Sequence, residues 1–461
     1  MYIFEKQAEC HLSMDQLKNY KESFYTIFEK ALTGADMKVR VAALLATTSF
    51  LLSVQDDDDK AALGDILKAF QPLREPMLET AVEALKVDGE LGRLALDSLA
   101  ELSKTHPGFW ENVDSKLVTI VSSIIKTKDF EDGTRSQAAE IVLALAKEVP
   151  AGLRKMPEMQ SEFVPALVQL VTECEEDMDT WAETAEDEDG TGNSAYSAGI
   201  GAIERLSVLL KEKFTLAAFA PIIQQCLASE DWKIKQAGYL TYGIIAEACK
   251  DKMKANADEA MKLACAGIAD AHPRVGYSAL YCLSQLLVQL KPMAQRKYHA
   301  ELVPTLIQIG QNAATPKMKT QAVECMVNFV KGLIEEDENE IEETKKSSDI
   351  MMLYADQLFA GLVQLLSTAV AASHEAMLEQ VLDLLNSTAG LIEEEFGKYF
   401  GQIMPLLREL LTKVEGATPE QMRLRAGTIE SIGILIAAIS ESYTPGVVPE
   451  TEEGKQILSM I

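Results

Sequence analysis

From about residue 15 to residue 439 the chain repeats one pattern. Apolar residues recur at helical spacing for several turns, a short polar turn follows, and a second apolar run of the same kind begins. The stretch 270–290 shows it best. Asp270 offers an N-cap and Pro273 sits in the first turn, where its missing N–H costs nothing. Val275, Ala279, Cys282, Leu283, Leu286 and Leu287 then line one face of a helix. Such a helix cannot bury that face alone, so it needs neighbours of the same kind. The spacing predicts helix pairs at 15–32 with 36–53, 76–87 with 90–103, 116–127 with 133–149, 163–174 with 194–210, 219–228 with 232–249, 257–268 with 273–290, 299–311 with 316–333, 352–370 with 374–391, and 400–414 with 419–439.

The second helices share an opening: a turn or capping residue, then basic residues, then small ones. Asp231, Asp270 and Thr315 mark three such openings, 39 and 45 residues apart, a period that fits helix-pair solenoids of the HEAT type. First helices repeatedly carry a proline in an apolar frame, at Pro165, Pro221, Pro304 and Pro405. The expected fold is all-α: one solenoid over residues 1–461, about nine pairs wound into a right-handed superhelix. Acidic insertions are expected at about 173–192 and 335–349, and Asp56–Lys60 reads as a solvated loop.

Composition sharpens this picture. At 461 residues the chain exceeds one ordinary core, which suits a repeat array. Hydrophobic residues reach 48% with only 6% aromatics, an Ala/Leu balance made for helix-on-helix packing. The formal charge of −28 disfavours nucleic acid and anionic membrane and favours basic partners. The seven cysteines form no CxxC pair, and several fall on apolar helical faces where a free thiol packs as a small hydrophobe, which suits a reducing compartment. The sequence presents no secretory signal and no apolar run long enough to span a bilayer.

Catalytic chemistry is hard to place. The five histidines are far apart, and HExxH, GxSxG, a phosphate loop and zinc-spaced Cys/His clusters are all missing from the sequence. An enzyme is not expected, nor a cofactor or metal. What remains is acidity in two blocks and one ladder. Residues 173–189 hold ten acids with Trp181, and residues 335–343 hold seven. Each block is either a solvated connection or a mobile anionic flap for a basic partner. Glu204, Glu247, Gln289 and Asn328 stand 43, 42 and 39 residues apart on successive second helices. In a stacked array they form either ordinary solvated surface or a polar row that grips lysines and backbone amides of an extended peptide.

The acidic insert around Trp181, Asp231-Trp232-Lys233, the run from Asp270 to Tyr277 and Val327-Asn328-Phe329, in this order, resemble the β-karyopherins of the importin-β family over about residues 31–439. The resemblance implies a nuclear import receptor that shuttles between cytoplasm and nucleus as a monomer. It implies that basic, Lys-rich localisation signals bind its concave face, that Phe-Gly nucleoporins carry it through pores, and that the GTPase Ran in its GTP form releases cargo. The cargo role carries over to Glu204, Glu247 and Asn328; at Gln289 the family pattern favours an acid, so one charge is missing there. Glu175, Glu176, Asp177, Asp179, Trp181, Glu186, Asp187, Glu188 and Asp189 correspond to the acidic loop presented to Ran or cargo. Family members are roughly twice this length, so a central fragment is expected, able to hold cargo but not to complete Ran-driven release. The rival expectation is a HEAT scaffold, a phosphatase or cytoskeletal platform indifferent to Ran.

Overall fold

The computed structural model describes residues 14–53, 60–110, 115–183, 194–334, 341–372, 374–414, 416 and 418–439. Among them every regular element is helical, and they form two compact units: residues 1–174 with 190–228, and residues 175–189 with 229–461. The first unit contains α1 (Met14–Leu32), α2 (Met37–Leu52), α3 (Lys60–Phe70), α4 (Arg74–Val87), α5 (Gly89–Thr105), α6 (Ser115–Lys126), α7 (Asp132–Glu148), α8 (Pro150–Leu153) and α9 (Val164–Val171); after α10 (Met178–Glu183) of the other unit comes α11 (Ala195–Leu227). The second contains α10, α12 (Trp232–Ile244), α13 (Lys250–Ala255), α14 (Ala257–Ile268), α15 (Pro273–Gln289), α16 (Met293–Asn312), α17 (Pro316–Leu333), α18 (Ile341–Met352), α19 (Ala355–Ala372), α20 (Glu375–Ile392), α21 (Gly397–Lys413) and α22 (Pro419–Ala438).

Within each unit the expected HEAT arrangement holds. Second helices pack on one another in series, α2–α5–α7–α11 in the first unit and α12–α15–α17–α20–α22 in the second, and α2, α5, α7, α11, α15, α17, α20 and α22 also pack on their own first helices. The series is close enough that a Cβ at Gly243 would stand 2.9 Å from the Cα of Cys282, so only glycine allows α12 to approach α15 as it does. Capping follows the sequence at most openings. Asp36, Asp88, Asp231, Thr315 and Thr418 accept backbone N–H groups of the helices they precede. At α15 the cap is His272 rather than Asp270: its side chain accepts from the Arg274 N–H, while Asp270 accepts from the His272 N–H and pairs with Lys235 at 3.2 Å.

The basic residues of the second-helix openings have a job that the sequence only hinted at. Arg40 donates from Nε to the Leu32 carbonyl and pairs with Glu83. Arg135 donates to the Ile125 carbonyl at 2.7 Å and, through both terminal nitrogens, to Glu173 at 2.7 and 2.8 Å. Arg425 reaches the carbonyls of Leu411 and Val414. Each guanidinium thus satisfies carbonyls left open at the end of the preceding first helix.

The structure departs from the sequence reading in several places. Helix α3 fills a stretch assigned to none of the predicted pairs, with Ile66, Leu67 and Phe70 buried. Residues 195–227, read as parts of two pairs, form one element broken at Lys211, whose φ of 63° interrupts the helix while Arg154 takes up the exposed carbonyls of Leu209 and Leu210. Helix α12 ends at Ile244, five residues before the expected boundary. Residues 341–349, expected inside the second insertion, belong to α18; residues 335–340 lie outside the described set. Helix α19 is long and apolar enough to cross a membrane, contrary to expectation, but it packs against α16, α20 and α21, and that contact explains its composition. The six described cysteines are unbridged.

Candidate inner-helix polar row and acidic strap

The predicted ladder is only partly in register. Between α12 and α15, Ser278 donates to Gln236, 42 residues away, but α12 ends at Ile244, so this helical register stops short of Glu247. Glu247 lies in the turn just beyond α12 and is exposed; Gln289 is the last residue of α15 and half-buried. Between α15 and α17 the offset is longer. Asn328 Nδ2 donates to Ser284 Oγ at 2.7 Å, and Cys325 Sγ donates to the Leu280 carbonyl at 3.1 Å, offsets of 44 and 45. Asn328 therefore stands beside Ser284, about 7 Å along the axis from the level of Gln289. Glu204 is exposed in the first half of α11 and belongs to the other unit. Among the described residues neither Glu204 nor Glu247 has an ion-pair partner.

One acid on this surface was missed. Glu324, one turn before Asn328 on α17, is half-buried and accepts from Ser284 Oγ at 3.1 Å and Gln321 Nε2 at 2.9 Å. Burial holds its carboxyl above the ordinary glutamate value, and the two hydrogen bonds only partly offset that. No cation lies within ion-pair distance of it among the described residues. Its signal was present, since Glu324 and Asn328 share a face at i, i+4, but a ladder that took one residue from each helix passed over it.

The acidic insert departs most from expectation. Over residues 175–181 it is seated, not free. Trp181 is fully buried, with the Arg274 guanidinium 5.2 Å and the Lys317 ammonium 5.3 Å from its ring centroid and the Tyr277 ring edge-on at 5.5 Å. Arg274 also donates to the Glu175 carbonyl at 2.9 Å, and Lys233 pairs with Glu176. Asp177 caps the short α10 by accepting from the Thr180 N–H, which lowers its pKa, and Asp179 is exposed. Glu186, Asp187, Glu188 and Asp189 lie outside the described residues. Near the same openings, His272 stacks flat on Trp232 at 4.0 Å, and burial together with the Arg274 charge lowers its pKa.

A third feature lies between first helices. Ile268, Pro273, Thr305, Ile309, Ala313 and Met318 line an apolar cavity of about 440 Å³ where α14 and α16 stand apart. Among the described residues no group of three or more His, Cys, Asp or Glu could hold a metal ion.

Residues 127–217 match the family described as Importin repeat, and residues 1–121 match the one described as IPO5-like, TPR repeats. The importin subunit beta-3 of Saccharomyces cerevisiae is 25% identical over 393 residues, 84% of this chain and 34% of that one. The probable importin subunit beta-4 of Schizosaccharomyces pombe is 22% identical over 348 residues, 74% of this chain and 29% of that one. The chain thus spans about a third of the length of these curated relatives. Among solved structures, Kap121p bound to Pho4p is similar with a TM-score of 0.78 at 21% identity, covering 99% of this chain and 41% of that one. Kap121p bound to RanGTP is similar with a TM-score of 0.74 at 21% identity, covering 97% and 41%.

Proposed function

We propose that this chain, which belongs to the importin-β family of HEAT-repeat proteins, is part of a nuclear transport receptor and that its second helices bind basic, lysine-rich localisation signals. The observation that carries this reading is the likeness, over nearly the whole chain, to a karyopherin solved with Pho4p and with RanGTP. The polar row supports it. Glu204 and Glu247 are exposed acids without a cation among the described residues, and Glu324 with Asn328 offers a carboxylate beside an amide. That pairing suits a lysine ammonium followed by a backbone amide. We place these groups on the concave face, with Gln289 as a neutral member. The acidic segment of Glu175, Glu176, Asp177, Asp179 and Trp181, continuing through Glu186–Asp189, is assigned to Ran or cargo in the whole protein, which shuttles between cytoplasm and nucleus. The apolar cavity between α14 and α16 has the size for a phenylalanine ring and is assigned to Phe-Gly nucleoporins. The chain acts by binding, not catalysis.

Lysine–carboxylate pairs on an open surface are screened by salt. The affinity of a lysine-rich peptide for the purified chain, measured by fluorescence anisotropy, is expected to fall at least about tenfold between roughly 0.05 and 0.5 M salt. A scaffold with apolar contacts would show a flat response, and that result would reject the reading. Acid should weaken the peptide as well. A lysine binds the charged form of Glu324, so affinity drops as pH falls through that carboxyl's raised value, above the range in which exposed glutamates titrate. Glu324→Ala should remove this upper part of the pH profile while leaving the lower part.

A further inference from the structure

Lys233, Arg274 and Lys317 each occupy the second position of their helix, α12, α15 and α17, and stand 41 and 43 residues apart. A cation there faces the positive end of the helix dipole, an unfavourable place unless something covers it. Arg274 and Lys317 are moreover only 2% exposed. Residues 175–181 supply the cover. Glu176 pairs with Lys233, the Glu175 carbonyl accepts from Arg274, and the Trp181 ring receives both Arg274 and Lys317. One short segment therefore touches the openings of three successive second helices.

We infer that residues 175–181 are a strap that sets the spacing of three consecutive repeats of the second unit, with Trp181 as its anchor. The exposed Glu176–Lys233 pair contributes little to the grip, because solvent screens it. The buried indole between two cations contributes most, since burial and cation–ring attraction act together in a desolvated place. The strap's consequence for ligand binding rests on the lysine-signal reading above. Glu247, Gln289 and Asn328 belong to the same three repeats, Gln289 about 22 Å and Asn328 about 16 Å along their helix axes from the strapped cations. Rigid helices carry the spacing set at one end to the groups at the other.

Backbone hydrogen exchange on the full chain tests the strap. Trp181→Leu keeps an apolar plug but removes the π face; Trp181→Phe keeps a smaller face. In the Leu variant, amides of residues 236–239, 277–280 and 320–323 should exchange about tenfold faster, with the Phe variant between it and the parent and with α20 and α22 unchanged. Lys317→Met, which keeps the stem and spares Trp181, should speed residues 320–323 and 277–280 if the Leu variant does not fold. Glu176→Ala should change none of them. Acceleration confined to residues 175–183, or spread evenly over all helices, would overturn the inference. In parallel, Trp181→Leu should weaken a lysine-rich peptide about tenfold. A peptide that fails to bind the parent chain would defeat the lysine reading alone, while the exchange pattern would still decide the strap.

Discussion

Replacing Arg135 by methionine should remove about 3–5 kcal/mol from the first unit's stability, one of the largest single losses available in the chain. The methionine keeps the aliphatic bulk but leaves the Glu173 carboxylate, only 15% exposed, without its bidentate partner. It also strands the Ile125 carbonyl, which the Arg135 Nε–H satisfies at 2.7 Å. Removing one member of a buried pair costs more than the pair itself contributes, because the surviving charge stays buried. Glu173 adds a pH signature. Burial pushes its carboxyl up, but the hydrogen bonds and charge of Arg135 outweigh that and hold it below the ordinary 4.5. A depressed carboxyl stabilises the fold fully above its unfolded value, and the contribution fades as pH falls through the lower folded value. Urea midpoints of the parent should therefore decline below about pH 4.5, and the Arg135→Met variant should lack that portion of the decline. An unchanged midpoint at neutral pH would show that the pair is solvated and of little account.

Trp181→Ala should cost about 3–5 kcal/mol, the range for emptying a fully buried aromatic site. The indole is 0% exposed and holds two cations, so the variant creates a cavity and also bares Arg274 and Lys317. The measured loss has a ceiling, however. If residues 175–181 can detach while the second unit stays folded, the variant can lose no more than the free energy of that local detachment. Thermal unfolding together with proteolysis near residue 181 separates the cases. Early cutting with a small change in midpoint means local release, whereas a large drop in midpoint means that the strap is integral. A variant identical to the parent in both assays would contradict the burial seen here.

How much of this was legible in the sequence follows from where each signal comes from. Helix pairs could be read because every second helix must bury a face against its neighbours, and that need writes itself at helical spacing, as in Val275 to Leu287. The openings at Asp231 and Thr315 were equally plain. Helix α3 escaped because Asp56–Lys60 read as a loop and its apolar residues, among them Ile66 and Phe70, follow without a clear capping signal. The break at Lys211 escaped too, since a lysine with positive φ carries no mark in a linear pattern. The ladder was a matter of register. Asn328 was placed 39 residues beyond Gln289, whereas the step from α15 to α17 is 44–45 residues, so Asn328 meets Ser284 and the nearby acid is Glu324. The seating of the acidic insert depends on contacts across 57 and 99 residues of sequence, from Lys233 to Glu176 and from Arg274 to Glu175. Two local hints existed, a lone tryptophan among acids and a cation at the same place in three helix openings, but only the fold joins them.

The lysine-binding proposal stands or falls on one comparison. Isothermal titration of a lysine-rich peptide into the parent chain, into a variant with Glu204, Glu247 and Asn328 all changed to Ala, and into a control with the exposed acids Glu301 and Glu409 of first helices changed to Ala removes two carboxylates in each variant while altering their location. Loss of binding by about tenfold or more in the first variant, with the control close to the parent, is the predicted result. Equal weakening in both would mean that the peptide responds to overall negative charge, and the second helices would hold no site.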